Sequence, residues 1–240
     1  SGPGATNLVT GIATAYLDSV PILAITGNVA TNLLGKDSFQ EVNITDITKS
    51  ITKRNYIVKD INKLQETIEE AIHIAQEGRP GPVLIDIPKD ITAQKVEFKD
   101  RGKVWYTENE DIDTNNLKKV VDIINKSKKV FIYAGGGVKV SGASEELRNF
   151  AEKIGAPVAT SLMAMDVIDN THPLYTGMIG MHGTKASNLA ATKCDLLIAV
   201  GARFSDRVIG KNEHIKNAKV IHIDIDEKEI DKNIKTYEHI

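Results

Sequence analysis

Apolar residues recur at helical spacing from Ala5 to Ser19, directly after the turn-forming Ser1-Gly2-Pro3-Gly4. This predicts a helix opened by a glycine–proline turn, which normally follows a strand. Pro21-Ile22-Leu23-Ala24-Ile25-Thr26-Gly27 is a short apolar run between breakers and reads as a buried strand. After a polar stretch from Asn28 to Glu41, Asn43 to Thr52 can form a short helix and Tyr56-Ile57-Val58 an edge strand. Asp60 to Glu77 predicts a long amphipathic helix, with Leu64, Ile68, Ala71, Ile72 and Ala75 on one face and Gly78 as its stop. Pro82-Val83-Leu84-Ile85-Asp86-Ile87-Pro88 is a second buried strand. Continuous apolar strands alternating with helices specify a parallel α/β sheet covered on both faces.

The pattern lapses between Lys95 and Asp113, a polar, charge-dense stretch with no helical period that also holds Trp105. It is the expected linker. The alternation then restarts. Asp113 or Thr114 can cap a helix to about Lys126, Lys129 to Ala134 is a strand running into Gly135-Gly136-Gly137, and Ala143 to Ile154 is a helix stopped by Gly155 and Pro157. Pro157 to Leu162 reads as a strand, Lys185 to Thr192 as a short helix, and Asp195 to Gly201 and Lys219 to Asp226 as strands. Two α/β domains are therefore expected, 1–94 and 114–240, joined by 95–113. The opening turn with no strand before it, and the stop at Ile240 just after a strand-like run, read as cut ends of a longer protein.

Composition narrows the function. The 240 residues are 41% hydrophobic and 26% charged with a net charge of −2, an ordinary globular balance. Acids and bases are mixed along the chain, so no basic face for nucleic acid is expected. The longest apolar runs, Val20 to Thr26 and Leu196 to Ala202, are too short to span a membrane. One cysteine, Cys194, rules out a disulfide within these residues, fits a reducing compartment and reads as a small buried residue. No His or Cys spacing suits a metal, and neither a GxSxG elbow nor a P-loop occurs, so protein metal ligation and protein nucleophiles are not expected. Hard chemistry would have to come from a cofactor.

Ligands of parallel α/β sheets sit at the carboxyl ends of strands, and four such ends in the second domain are unusual. Gly135-Gly136-Gly137 lets a backbone approach a phosphate or ribose, with consecutive N–H groups able to form an anion nest, or is simply a tight turn. It is not a GxGxxG fingerprint, which argues against an ordinary NAD site. Gly201-Ala202-Arg203-Phe204-Ser205-Asp206-Arg207 places two arginines after a buried strand, suited to phosphate or carboxylate, or is a solvated loop. Asp224-Ile225-Asp226 can accept ribose hydroxyls or cap the next helix. Ile179-Gly180-Met181-His182-Gly183 offers His182 as ligand, acid/base or packed turn residue. Four such ends together favour a dinucleotide spanning the sheet edge.

Several segments closely match one family. SGPGATNLVTGIATAYLDSVPILAITGNV, KDSFQEVNITDITKSITKRN, GRPGPVLIDIPKDI, GMIGMHGTKASN, DLLIAVGARFSDRVIGK and HIDIDEKEIDKN occur in the order seen in acetolactate synthase catalytic subunits. The chain resembles an internal fragment of that family over essentially its whole length. The combination of SFQE, GMHG and GARFSDR is its most specific part. The resemblance implies the later part of a thiamine-diphosphate pyrimidine-binding domain followed by a central, Rossmann-like FAD-binding domain. It implies Gln40 near the thiamine, Phe39 and Lys89 at the substrate entrance with Met181 and His182 nearby, and Lys53 on the same channel. It assigns Arg79, Gly135, Gly136, Ser161, Leu162, Ile179, Gly180, Met181, His182, Gly201, Ala202, Arg203, Phe204, Ser205, Asp224 and Ile225 to FAD, and Arg207 to the carboxylate of the incoming 2-oxo acid.

The implied reaction is carboligation: one pyruvate loses carbon dioxide and its remaining carbons join a second pyruvate or 2-oxobutyrate, at the head of valine, leucine and isoleucine synthesis. Thiamine diphosphate, Mg²⁺ and a structural FAD serve the full-length protein, a cytoplasmic homodimer or homotetramer for which a regulatory small subunit is common. Asn28 and Ser205 stand where the family often has Gln and Asp. The activating glutamate and the Mg²⁺–diphosphate motif of the family are not found in these residues, so the chain alone is expected to make no acetolactate. The alternatives are another thiamine-dependent carboligase, decarboxylase or oxidase, or a non-catalytic FAD-binding relative.

Overall fold

The computed structural model describes residues 1–98, 100, 113–209, 215 and 218–240. The chain divides into two compact units, Ser1–Glu108 and Asn109–Ile240. Trp105 and most of the expected linker lie outside the described residues.

In the first unit, β1 (Leu23–Asn28), β2 (Arg54–Ile57) and β3 (Val83–Pro88) form a parallel sheet in the order β1-β3-β2. β3 lies in the middle because its apolar run can be buried on both faces, whereas β2, with Arg54 and Asn55, takes an edge as expected. The Asp60 side chain caps a single 3₁₀ turn, Ile61–Lys63, which leads into the helix Leu64–Gln76. Ala71 and Ala75 of that helix are buried with Val83 and Ile85, and Leu64, Ile68 and Ile74 pack alongside. Ile72 corrects the expectation: it is 46% exposed. The buried stripe is centred on Ala71 and Ala75, so Ile74 on one flank is packed while Ile72 on the other faces water. The first helix is broken into Pro3–Thr6 and Val9–Leu17. With Ile44 it covers the other face of the sheet through Ala5 and Ile12, against Ala24 and Leu84.

The second unit holds β4 (Val130–Ala134), β5 (Val158–Thr160), β6 (Tyr175–Met178), β7 (Leu196–Val200), β8 (Lys219–Ile223) and β9 (Glu238–His239). They pair in parallel in the order β6-β5-β4-β7-β8-β9. The chain steps outward from β4 to β6, then returns beside β4 and steps outward the other way. The reversal lies between β4 and β7, and the strand ends there are where α/β sheets place ligands. Alternate residues of β4 fill opposite cores: Ile132 and Ala134 pack with Leu196 and Ile198, Phe131 and Tyr133 with Leu197 and Ala199. Asp113 caps the helix Thr114–Lys126, Thr184 caps Lys185–Lys193, and Gly155, in the left-handed region at φ 63°, ends Ser144–Ile154. Cys194 is buried between helix and strand. No helix among the described residues is long and apolar enough to cross a membrane.

Candidate functional site

The two glycine-rich ends at the reversal meet backbone to backbone. Gly135 N–H donates to the Val200 carbonyl and Gly137 N–H to the Gly201 carbonyl, each at 2.9 Å. A Cβ on Gly135 would stand 2.1 Å from the Gly201 oxygen and 2.3 Å from Ala202 Cα, and one on Gly137 would stand 2.6 Å from Gly201 Cα. These glycines exist so that β4 and β7 can end in contact. This favours the tight turn over the anion nest at residues 135–137, because two of the three N–H groups are spent on the neighbouring strand end. A Cβ on Gly136 would instead meet Met163 Cβ at 3.2 Å, so that glycine faces the turn after β5.

That turn is anchored by the Ser161 N–H on the Ala134 carbonyl (2.9 Å) and continues as the 3₁₀ segment Leu162–Ala164, with Leu162 71% exposed. After β6, Ile179 is buried, and Gly180, at φ 100°, lies against the backbone of Arg207, where a Cβ would come within 2.3 Å of its oxygen. Met181 N–H donates to the same Arg207 carbonyl at 2.7 Å. Asn188, which motif reading missed, brackets Gly180: its Oδ1 accepts the Gly180 N–H at 2.9 Å and its Nδ2 donates to the Gly180 carbonyl at 3.0 Å. Met181 is 64% exposed, and one Arg207 guanidinium nitrogen lies 3.5 Å from its sulfur. Asp206 is a loose partner for Arg207 at 3.7 Å, and His182 and Ser205 are exposed.

After β8, Asp224 accepts the Asp226 N–H at 3.0 Å, and Asp226 caps the turn Glu227–Glu229, the structural role anticipated for one acid of the pair. Ile225 is exposed. The ends of β4, β5, β6, β7 and β8 thus form one ledge that brings together the predicted residues of this unit. Apolar side chains (Leu162, Met163, Met181, Ile225) and the arginines Arg203 and Arg207 share it.

In the first unit, Gln40 adopts a left-handed φ of 61° and sits against Gly2, where a Cβ would lie 2.7 Å from the Gln40 oxygen. Phe39 beside it is 88% exposed. Glu41 accepts N–H groups from Gly35, Lys36 and Ser38, and these bonds, that from Gly35 foremost, hold its carboxyl below the usual range. Beneath this loop lies a network not anticipated from sequence. The carboxylate of Asp86, 1% exposed, accepts Thr26 Oγ1 at 2.7 Å and Asn28 Nδ2 at 2.6 Å, and Asn28 Nδ2 also reaches the Val42 carbonyl at 3.2 Å. Lys89, exposed, opens the short helix Lys89–Thr92 after β3. Phe39, Gln40 and Lys89 therefore belong to the carboxyl edge of the first sheet.

Lys53 does not join them within this unit. It precedes β2, its N–H bonds the Pro82 carbonyl at 2.8 Å, and its ammonium donates to the Glu77 carbonyl. Burial pushes its pKa down. Arg79, two residues after Glu77, donates to Ser19 Oγ at 2.9 Å, ahead of β1. Both belong to the amino edge, a strand length (roughly 15 Å) from Lys89.

Residues 117–240, just over half of the chain, match the family model described as thiamine pyrophosphate enzyme, central domain. The chain belongs to the thiamine pyrophosphate enzymes. Residues 1–47 match the N-terminal TPP binding domain of the same enzymes. The chain is 49% identical to a probable acetolactate synthase large subunit of Methanocaldococcus jannaschii, over 98% of its own length and 41% of that protein. It is 46% identical to an acetolactate synthase of Arthrospira platensis (98% of the chain, 42% of the relative) and 48% to the large subunit of Corynebacterium glutamicum (97% and 38%). The chain thus spans about two-fifths of the length of these relatives.

Proposed function

We propose that this thiamine pyrophosphate enzyme is an acetolactate synthase, joining pyruvate to a second pyruvate or to 2-oxobutyrate with loss of carbon dioxide. The observation that carries the reading is 46–49% identity to proteins of that name, running through both units. The organisation proposed is a thiamine-pyrimidine-binding part at 1–94, a linker at 95–113 and a flavin-binding part at 114–240. Thiamine diphosphate, when bound, supplies the electron sink that lets carbon dioxide leave. The chain's own residues bind and orient. Gln40, braced on Gly2, lies near the thiamine. Phe39 and Lys89 in the first unit, and Met181 and His182 in the second, are each assigned to substrate entry, and Lys53 to the access channel. Arg207 meets the carboxylate of the incoming 2-oxo acid, for which its forked donors are suited.

The ledge of the second unit suits FAD in its donor set. Exposed apolar side chains offer a surface for flat rings, the Arg203 guanidinium offers charge to phosphate, and the Asp224 carboxylate offers an acceptor for hydroxyls. FAD is proposed as a structural group here, held also by Arg79, and Mg²⁺ as the ion of the thiamine diphosphate. Assembly as a homodimer or homotetramer, a regulatory small subunit and a cytoplasmic location are proposed with the activity. The test is acetolactate formation from pyruvate by the protein of the complete reading frame, supplied with thiamine diphosphate, Mg²⁺ and FAD. Arg207→Ala is expected to raise the KM for the 2-oxo acid about tenfold or more, as loss of a charge-assisted hydrogen bond implies. Consumption of pyruvate without acetolactate would refute the assignment.

A further inference from the structure

Beyond Gly201 the segment after β7 leaves the sheet, yet three consecutive carbonyls in it are each met by a side chain from elsewhere. His222 Nε2, on β8, is 2.9 Å from the Ala202 oxygen. The Tyr133 hydroxyl, on β4, is 3.5 Å from the Arg203 oxygen, and Asn233 Nδ2 is 2.8 Å from the Phe204 oxygen. The Phe204 ring packs on two of these donors, 5.8 Å from Tyr133 and edge-on to His222 at 5.3 Å.

His222 is the member whose chemistry needs explaining. It is 1% exposed, and its Nδ1 is buried without a hydrogen-bond partner. An apolar residue at this place would avoid that orphan, so the reason for an imidazole lies at the other nitrogen. A carbonyl oxygen only accepts, so Nε2 carries a proton and donates to Ala202. Asp224 is the more distant neighbour of Nε2, at 3.6 Å. The peptide unit is planar and no cis bond occurs in the described residues, so each N–H points opposite to the carbonyl before it. Holding the Ala202 oxygen therefore turns the Arg203 N–H away from His222. The Arg203 oxygen is held chiefly by the Ser205 N–H at 3.0 Å, with the Tyr133 hydroxyl farther off at 3.5 Å.

We propose that His222 is a positioning residue. Through the Ala202 carbonyl it sets the peptide planes of the Ala202–Phe204 segment, and with them the direction in which this loop presents its N–H groups and Arg203 to a ligand on the ledge. The Ser205 N–H holds the next carbonyl, and Asn233 the one after it. The ligand consequence rests on the reading of the ledge as a flavin site; the orientation of the loop does not.

The test compares His222→Gln and His222→Phe in the protein of the complete reading frame. Glutamine places an amide donor near the position of Nε2, whereas phenylalanine keeps the ring and loses the donor. Hydrogen exchange is measured on flavin-free protein, and FAD affinity by quenching of flavin fluorescence. His222→Phe is expected to speed exchange across Gly201 to Arg207 at least fivefold while β7 is unchanged, and to weaken FAD binding about tenfold, the loss of one good hydrogen bond. His222→Gln should stay within about twofold of the parent on both readouts. Parental exchange in His222→Phe overturns the proposal, as does a His222→Gln variant as loose as His222→Phe, because packing and not donation would then hold the loop. An exchange contrast in a protein that binds no FAD supports the positioning role and sinks the flavin reading.

Discussion

Replacing Gly135 with alanine tests the close approach on which the ledge depends. The backbone of Gly135, at φ −103° and ψ −179°, is open to any residue, so the substitution carries no conformational strain of its own. Its cost is steric. The added methyl would lie 2.1 Å from the Gly201 oxygen and 2.3 Å from Ala202 Cα, both backbone atoms, against an ordinary contact of about 3.5 Å. Relief requires the end of β7 to move by more than an ångström, stretching the 2.9 Å bond from Gly135 N–H to Val200. Overpacking at the upper end of its usual range plus one hydrogen bond comes to about 3–4 kcal/mol. Gly136→Ala is the internal control. Its methyl meets only Met163 Cβ at 3.2 Å, at the first position of a helical turn where alanine is preferred to glycine. Urea unfolding should show Gly135→Ala weaker by about 3 kcal/mol and Gly136→Ala within about 1 kcal/mol of the parent. Equal stability of the two variants would refute the argument that these strand ends are packed at backbone contact.

Asp86→Ala strands the Thr26 hydroxyl and half of the Asn28 amide in the core, and should cost about 3 kcal/mol in urea unfolding; a loss under 1 kcal/mol would mean the network is not closed in solution. Burial pushes the Cys194 thiol up to about 11, so a thiol reagent at neutral pH should label it only after denaturation, and rapid labelling of native protein would contradict its burial. Asp195 holds the N–H groups of Lys128 and Lys129, and the Lys128 bond leads in depressing its pKa. A depressed folded pKa stabilises above the unfolded value and is lost as pH falls through the folded one, so melting temperature should fall below about pH 4 and Asp195→Asn should flatten that limb; an unchanged slope would remove Asp195 as its source.

Much of the fold was legible because its signals are local. The cap Asp113, the stops Gly78 and Gly155, and the continuous apolar runs of β3, β4 and β7 each declare themselves within a few residues. β6 escaped because Tyr175-Thr-Gly-Met is only partly buried and carries a glycine, and β9 is only two residues long. The site was legible as a set of strand ends but not as contacts. Nothing near Gly135 in sequence reveals that Gly201 will lie against it, and nothing near His222 says that its proton is owed to Ala202, twenty residues away. Lys53 shows a different limit: its place on a sequence motif says nothing of which edge of the sheet it occupies.

The contact between β4 and β7 also decides what kind of ligand recognition the ledge can offer. In dinucleotide folds that use a glycine fingerprint, main-chain N–H groups at a helix start cradle the diphosphate. Here the N–H groups of Gly135 and Gly137 are committed to Val200 and Gly201, and the following helical turn, Gly136–Val140, is a single short turn. In the proposed flavin reading, phosphate charge is then met chiefly by the Arg203 side chain and by whatever main-chain donors the Ala202–Phe204 segment turns outward. Side-chain charge is screened by salt far more than a buried nest would be. Affinity for FAD should accordingly weaken with ionic strength, and more steeply in the parent than in an Arg203→Gln variant. Titrations across a salt series measure this, and an affinity indifferent to salt would place the phosphates on the backbone instead.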